Sequence, residues 1–503
     1  MKNFFVILLF SIASFAVARW HTSPLINTPI VTAVQEQLNP SFASDGKGGA
    51  IIAWQDLRNN GTSNIFAQRV DAFGNIKWAQ NGVAICTDVH GQFNPVVVAD
   101  TSGGAFIVWR DIRNANNLNS AANDTDIYSQ HVDNAGKVTW QSNGIPMCIR
   151  SSPKSNLIAL GDGSNGIISA WVDFRPCLYI YDSIWPQPGS NQYYDSARVC
   201  EDEFIPSSVP RVFLQHVDSS GSLWASDSIG VLSCDINHHS SQTYPQLITD
   251  GNGGVILVWQ DNEATTSAIR CQHFAPDGTF MFPDTSLPVS NYSSGKDSLV
   301  AVSDNHGGFI AAWDDKRNYA NNGLDIYAQR VNDSGKIVWG GQGGVPVVTT
   351  GNDQFSPQLS VDTAGNAFIV WQDRRNFYGP PNHYGIDLYG QMLSATDGSK
   401  MWAANGVGLV VAPQDQFGQQ ILSDDSGGFY LSWVDNSAYL GSNESDYTNT
   451  HIYAKRVRAD STTAWGGATG AARLHCAEFP KPAGDDDRKR QHTPGVARRA
   501  QRR

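Results

Sequence analysis

Tryptophan, aspartate and arginine recur as a set along this sequence. W-x-D-x-R stands at Trp54/Asp56/Arg58, Trp109/Asp111/Arg113, Trp171/Asp173/Arg175, Trp313/Asp315/Arg317 and Trp371/Asp373/Arg375. A guanidinium two residues from a carboxylate supports two chemistries. Five such arginines can form a ring that grips a ligand carboxylate or sulfate, because the guanidinium fork matches those anions. Alternatively, each arginine pairs with its own aspartate and fixes the loop that carries both. Repetition favours the second, since a residue present in every unit does the same job in every unit. Asp261 and Asp435 follow Trp259 and Trp433 without the arginine, so the structural set is Asp56, Asp111, Asp173, Asp261, Asp315, Asp373 and Asp435. A glutamine also recurs (Gln68, Gln130, Gln215, Gln272, Gln329, Gln391) and reads as a buried amide bonding a neighbouring strand.

Other chemistry is thinly represented. HExxH, G-x-S-x-G and P-loop signatures are absent. His238-His239 is a lone pair among scattered histidines, which argues against a transition-metal site. The Asp-rich turns offer oxygens to Ca²⁺ but lack the spacing of a full loop, so no cofactor is expected. Glu201 and Glu203, beside Asp202, are the most concentrated acids and read as an exposed loop. Paired carboxylates for glycoside cleavage need only meet in space, so sequence leaves them open.

The elements that must position these residues follow from spacing. The seven tryptophans lie 55, 62, 88, 54, 58 and 62 residues apart. Each ends an apolar run ("AIIAW", "AFIVW", "VILVW", "FIAAW") that does not alternate, as expected of a strand covered on both faces. Before it comes a run ending in Asp and a Gly-rich turn such as "DGKGG". After it come a third run ("NIFAQRV", "DIYAQRV"), a second turn ("DAFGNIKW", "DNAGKVTW") and a short fourth run. Four antiparallel strands per unit and seven units describe an all-β, seven-bladed β-propeller, in which radial repetition protects the sheet edges.

The expected blades are approximately 39–91, 94–150, 154–236, 243–291, 295–350, 353–412 and 416–470, within a propeller spanning 29–475. "PIVTAVQEQLNP" at Pro29 parallels "PVVTTGNDQFSP" at Pro346. Residues 29–34 are therefore expected to complete the last blade and close the ring as an N-terminal strand.

The ends read differently. "MKNFFVILLFSIASFAVA" has a basic start, a short apolar run and an A-x-A site, which predicts a signal peptide over 1–18 with a lead-in over 19–28. The chain is thus expected to be secreted or held at the cell surface after export, with no membrane span. Residues 476–503 are Arg-rich with almost no large apolar side chains and read as a disordered basic tail. The net charge of -12 opposes nucleic acid as a partner. The seven cysteines are an odd count. Cys177 and Cys200 bracket one long insertion and are the candidate disulfide, while Cys86, Cys148 and Cys234 share one repeat position and read as buried.

In an up-and-down blade, the loops after the tryptophan strands share a face with the links between blades. That face carries long loops rich in Tyr, Asn and Pro. Their candidate binding residues are Tyr179, Tyr181, Trp185, Tyr193, Tyr194, Tyr378, Tyr384 and Tyr439, with Arg58, Arg113, Arg175, Arg317 and Arg375 at the root.

The second turn, with its Asp, Gly and Trp (Asp71 to Trp78, Asp133 to Trp140, Asp333 to Trp339), resembles a degenerate Asp-box, the hairpin motif of sialidase-like propellers. The whole repeat is similar to those of secreted bacterial propellers that often end in a type IX secretion sorting domain. The resemblance covers Pro29 to Trp465 and implies the fold. The Ser opening a full Asp-box is missing from most copies, the sialidase arginine triad cannot be placed, and no sorting domain is recognisable, so sialidase activity is not implied. The leading expectation is a monomeric, non-enzymatic binding or scaffold module for an extracellular glycan or protein. A carbohydrate-active enzyme, glycosidase or lyase, using the same face is the alternative, and a structural surface-layer component the third.

Overall fold

The structure, a computed structural model, describes residues 28–115, 124–175, 209–224, 230–233, 240–263, 266–283, 286–377, 385–424, 426–436 and 451–464. They form seven antiparallel sheets, each with its strands paired in chain order. The first sheet is Gln37–Ser44, Ala50–Asn59, Thr62–Val70 and Val83–Cys86. The next five repeat the plan, opening at Gln92–Ala99, Lys154–Gly161, Ser241–Thr249, Lys296–Ser303 and Gln354–Val361. The seventh holds three strands, Gln416–Ser423, Phe429–Asp435 and His451–Val457. Seven sheets of three or four strands in succession are consistent with a propeller.

Sheet packs on sheet through continuous apolar cores, one at each of the six junctions from first to seventh. This explains why the tryptophan strands do not alternate: Ala105 to Trp109 are all buried, one set of side chains facing each neighbour. The opening strands of successive sheets lie against one another and so form the inner wall. Each carries the same irregularity, a slip in register at a residue with positive φ: Asn39, Asn94, Asn156, Tyr244, Ser298, Ser356 and Gly418. Such a bulge bends the strand and turns polar groups inward.

Polar repeats hold the turns. Asp100 Oδ1 accepts from the backbone N–H of Ser102 and Gly104, both at 2.7 Å, and its Oδ2 lies 2.9 Å from His131 Nε2. The buried Gln130 accepts from the N–H of His131 and Trp140 and donates to Gln141 O. That clamp sets the turn bearing each outer tryptophan. Trp78 Nε1 then donates to Asn134 O of the next unit at 3.1 Å, and Trp402 Nε1 to Ala459 O at 2.7 Å. The Asp-box-like turn is therefore a device for joining neighbours.

Among the described residues, 28–36 contain no strand and 29–34 show no pairing with the seventh sheet. Instead Thr32 N donates to Asn81 Oδ1 of the first sheet at 2.9 Å, so the segment is tied to the unit that follows it. The proposed Cys177–Cys200 pair lies outside the described residues, as do Cys234, the signal peptide and the basic tail. Cys86 and Cys148 are buried free thiols, each 3.1 Å from the Nη2 of Arg113 or Arg175 in the next unit. No helix among the described residues is long and apolar enough to cross a membrane.

Candidate functional site

The W-x-D-x-R groups sit where the second strand enters its loop, and each is closed on itself. Trp109 Nε1 donates to Asp111 Oδ2 at 2.9 Å. Arg113 donates through its backbone N–H and Nε to Asp111 Oδ1 and through Nη2 to Oδ2. Its guanidinium also reaches Asn143 O and lies 3.9 Å from the centre of the Tyr128 ring. Arg58 and Arg375 do the same against Phe66 and Tyr389; Arg317, over Tyr327, bonds Asp315 through its backbone N–H and Nη2 but not Nε, and Arg175 lies over Phe213. Burial acts to raise the Asp56 carboxyl, but the bonds from Arg58 and Trp54 outweigh it and hold it below the usual range. In Arg58, Arg113 and Arg375 fork and ring face are both occupied, so these arginines position loops and offer no open fork to an anion.

The units without the loop arginine find a cation elsewhere. In the fourth, Arg270 replaces the third-strand aromatic and lies 3.7 Å from Asp261. In the seventh, Lys455 takes the glutamine position, with Nζ 5.5 Å from the Trp433 ring centre.

Three units add a feature the sequence reading missed. Asp126, Asp325 and Asp387 stand directly across the ladder from Asp111, Asp315 and Asp373. An asparagine after each arginine donates to the second carboxylate: Asn114 to Asp126 at 2.7 Å, Asn318 to Asp325 and Asn376 to Asp387 at 2.8 Å. Burial pushes Asp126 up to about 6. The signal was the co-occurrence of R-N with D-x-Y in the same units.

An open cleft of ≈ 320 Å³ lies on the loop-rich side between the fifth and sixth sheets. Its walls are Tyr319, Asn321, Asn322 and Gly323 on one side and Asn352, Asp353, Arg374 and Phe377 on the other. Tyr319–Asn322 forms one helical turn after the Arg317 loop, closed by Gly323 N donating to Tyr319 O. Asp353 accepts from Leu324 N at 3.0 Å and faces Arg374 Nη1 at 3.6 Å. Arg374 also lies over Phe355 at 5.0 Å. Aromatic faces, side-chain amides and a carboxylate–guanidinium pair together suit a polyhydroxylated ligand: rings stack on C–H surfaces while amides and charges meet hydroxyls.

Beside this junction, Asp314 on the second strand of the fifth sheet is buried against the opening strand of the sixth. It occupies the middle position of W-x-D, which is Gln55, Arg110, Val172, Gln260, Gln372 and Val434 elsewhere. Its Oδ1 accepts from Ser356 N of the sixth sheet at 3.0 Å, three residues along from Asp353. Burial pushes this carboxyl up to about 7; Asp297 adds to the effect, and Ser298 and Ser356 oppose it.

Arg58, Arg113, Arg175, Arg317 and Arg375 each bind the aspartate of their own unit, and Arg113, Arg175 and Arg317 also touch the preceding one. Tyr179, Tyr181, Trp185, Tyr193, Tyr194, Tyr378, Tyr384 and Tyr439 lie outside the described residues. Tyr319 was missed because loops were weighed by length, and "NYANNG" is short. Among the described residues no three His, Cys, Asp or Glu side chains gather as metal ligands.

No family model and no curated protein matches the chain. Solved structures do. A puromycin hydrolase is 13% identical, with a TM-score of 0.43 over 92% of this chain and 57% of that one. This chain thus spans little more than half its length. An ulvan lyase is 9% identical, with a TM-score of 0.43 over 86% and 96% of the two chains. An α-L-arabinanase from Penicillium chrysogenum is 13% identical, with a TM-score of 0.30 over 61% and 88%. Likeness at this level is silent on activity.

Proposed function

We propose that the chain is an exported β-propeller that recognises carbohydrate through the cleft between its fifth and sixth sheets. The observation that carries this reading is the composition of the walls: Tyr319 and Phe377 beside Asn321, Asn322, Asn352 and the Asp353–Arg374 pair. Tyr319 is 59% exposed, so its ring face is available for stacking. The export signal read at 1–18 agrees with a ligand met outside the cell. A glycan array with the chain from residue 19 onward, repeated with Tyr319→Ala, tests the reading. Array signals that survive the substitution would remove the cleft from consideration.

A second reading, turnover of the bound glycan, is favoured by Asp314. It is the one acid at the inner x position of W-x-D, with a carboxyl titrating near neutrality beside the same junction. Release of reducing ends or unsaturated sugars from an array-positive glycan, lost in Asp314→Asn, would establish it.

A further inference from the structure

One interface is used six times in this molecule, and half of it lies open at each end. On the face that a sheet turns toward its successor, Ile65, Ile127, Ile326 and Leu388 are fully buried. The same position of the seventh sheet is Ile452, which is 57% exposed, and its neighbour Leu422 is 69% exposed. On the opposite face, Val97 and Leu359 are 7% exposed, whereas Phe42 at that position of the first sheet is 76% exposed. The six apolar cores join the first sheet to the second and onward to the seventh, and among the described residues none joins the seventh back to the first.

The segment ahead of the first sheet points the same way. Thr87, just beyond the outer strand of the first sheet, donates its N–H to Asn143 of the second sheet at 3.0 Å. Thr32 repeats that bond on Asn81 at 2.9 Å, one unit earlier. Residues 29–31 thus stand where the outer strand of a preceding sheet would stand. They line a gap of ≈ 380 Å³ against Ile76 and Trp78 and pair with no strand. Among the described residues the seventh sheet holds three strands, and His451–Val457 pairs with Phe429–Asp435 alone.

We propose that the open face of the seventh sheet binds the first sheet of a second copy of this chain, whose residues 29–31 then lie beside the outer edge of that seventh sheet. The contact continues an interface already made six times, with the same kinds of apolar side chain on each side. It also covers Phe42 and Ile452 in one contact. The two surfaces differ, so the association is head-to-tail and each added copy presents a fresh open face.

Sedimentation velocity of the chain across a hundredfold range of concentration, about 0.5–50 μM, is expected to show growing oligomers that persist in high salt, because the contact is apolar. Phe42→Asp blocks the first-sheet face and Ile452→Asp the seventh-sheet face. Both positions are exposed, and circular dichroism verifies that each variant folds. Each variant alone is expected to be a monomer. Mixed, they should form a 1:1 dimer and nothing larger, since each keeps the face that the other has lost. A wild-type chain that stays monomeric throughout, or mixed variants that do not pair, would overturn the proposal. So would a short bis-thiol cross-link formed within a single chain of the Phe42→Cys/Ile452→Cys variant, which would mean that the two faces close on each other.

Discussion

The guanidinium of Arg113 lies 3.9 Å from the centre of the Tyr128 ring, one strand away in the same sheet. That stacking, with the fork onto Asp111 and the bond to Asn143 O, fixes two strands and a turn of one unit to one another. Asp111 is fully buried, so removing its cation leaves an uncompensated charge. Arg113→Met is expected to lower stability by about 3 kcal/mol in urea denaturation, more than the hydrogen bonds of a surface pair would cost. Arg113→Lys should recover little of it, because an ammonium cannot fork or stack in the same way. A loss under ~0.5 kcal/mol for Arg113→Met would argue against the positioning role.

A second expectation concerns the joint between units. Trp78 of the first unit lies against the turn at Gly136 of the second, where φ is +83° and a Cβ would come within 2.7 Å of the indole. Gly136→Ala meets both a strained backbone and a rigid ring, and neither can move cheaply. A loss of roughly 2 kcal/mol is expected. The same substitution at Gly61, where nothing lies within 4 Å, should cost only the backbone strain of its +78° φ. Equal costs at the two positions would mean that the tryptophan does not set the joint.

These relationships show what the repeat made legible and what it hid. The Trp-x-Asp-x-Arg spacing, the glycine-bearing turn after each turn aspartate and the unbroken apolar strands all repeat, and repetition marks positions that do one physical job. The seven sheets and the structural use of Asp111 and Arg113 could therefore be read without coordinates. The cleft could not, because Tyr319, Asn352 and Arg374 come from two units and meet only through packing. The partner of residues 29–34 was not legible for a related reason. Pro29 to Thr32 has the right sequence for an outer strand, but a strand needs a partner, and sequence alone does not say which copy of a repeated edge lies beside it.

The cleft gives a third expectation. Tyr319 is exposed and has no role in the core, so Tyr319→Ala should leave the melting temperature unchanged. Loss of one stacking face is expected to weaken glycan binding by roughly tenfold, about 1.4 kcal/mol. Gly323→Ala acts on the wall instead. Its φ is +83°, and a Cβ would lie 2.5 Å from Asp353 Oδ1, displacing the carboxylate from Leu324 N. That variant should lose binding and some stability together. Calorimetric titration beside thermal unfolding separates the two effects.

The last expectation is a pH dependence set by Asp314. Burial pushes its carboxyl up to about 7, against an ordinary value of 3.8. The folded chain therefore holds this proton over a range in which the unfolded chain has released it. By linkage, the contribution is fully present below about pH 4, is lost as pH rises through 7, and changes no further above that. Asp314→Asn keeps the shape of the neutral carboxyl and cannot ionise, so it lacks this dependence. Relative to that variant, the wild-type midpoint in urea should fall steadily between about pH 4 and pH 7. By pH 8 the variant should be the more stable, by an amount on the order of 1–3 kcal/mol. Asp126, raised to about 6, contributes in the same direction and is present in both chains, so it cancels in the comparison. Parallel curves from pH 4 to 8 would mean that Asp314 ionises in the folded chain as readily as in the unfolded one. Its candidacy as an acid beside the cleft would then end.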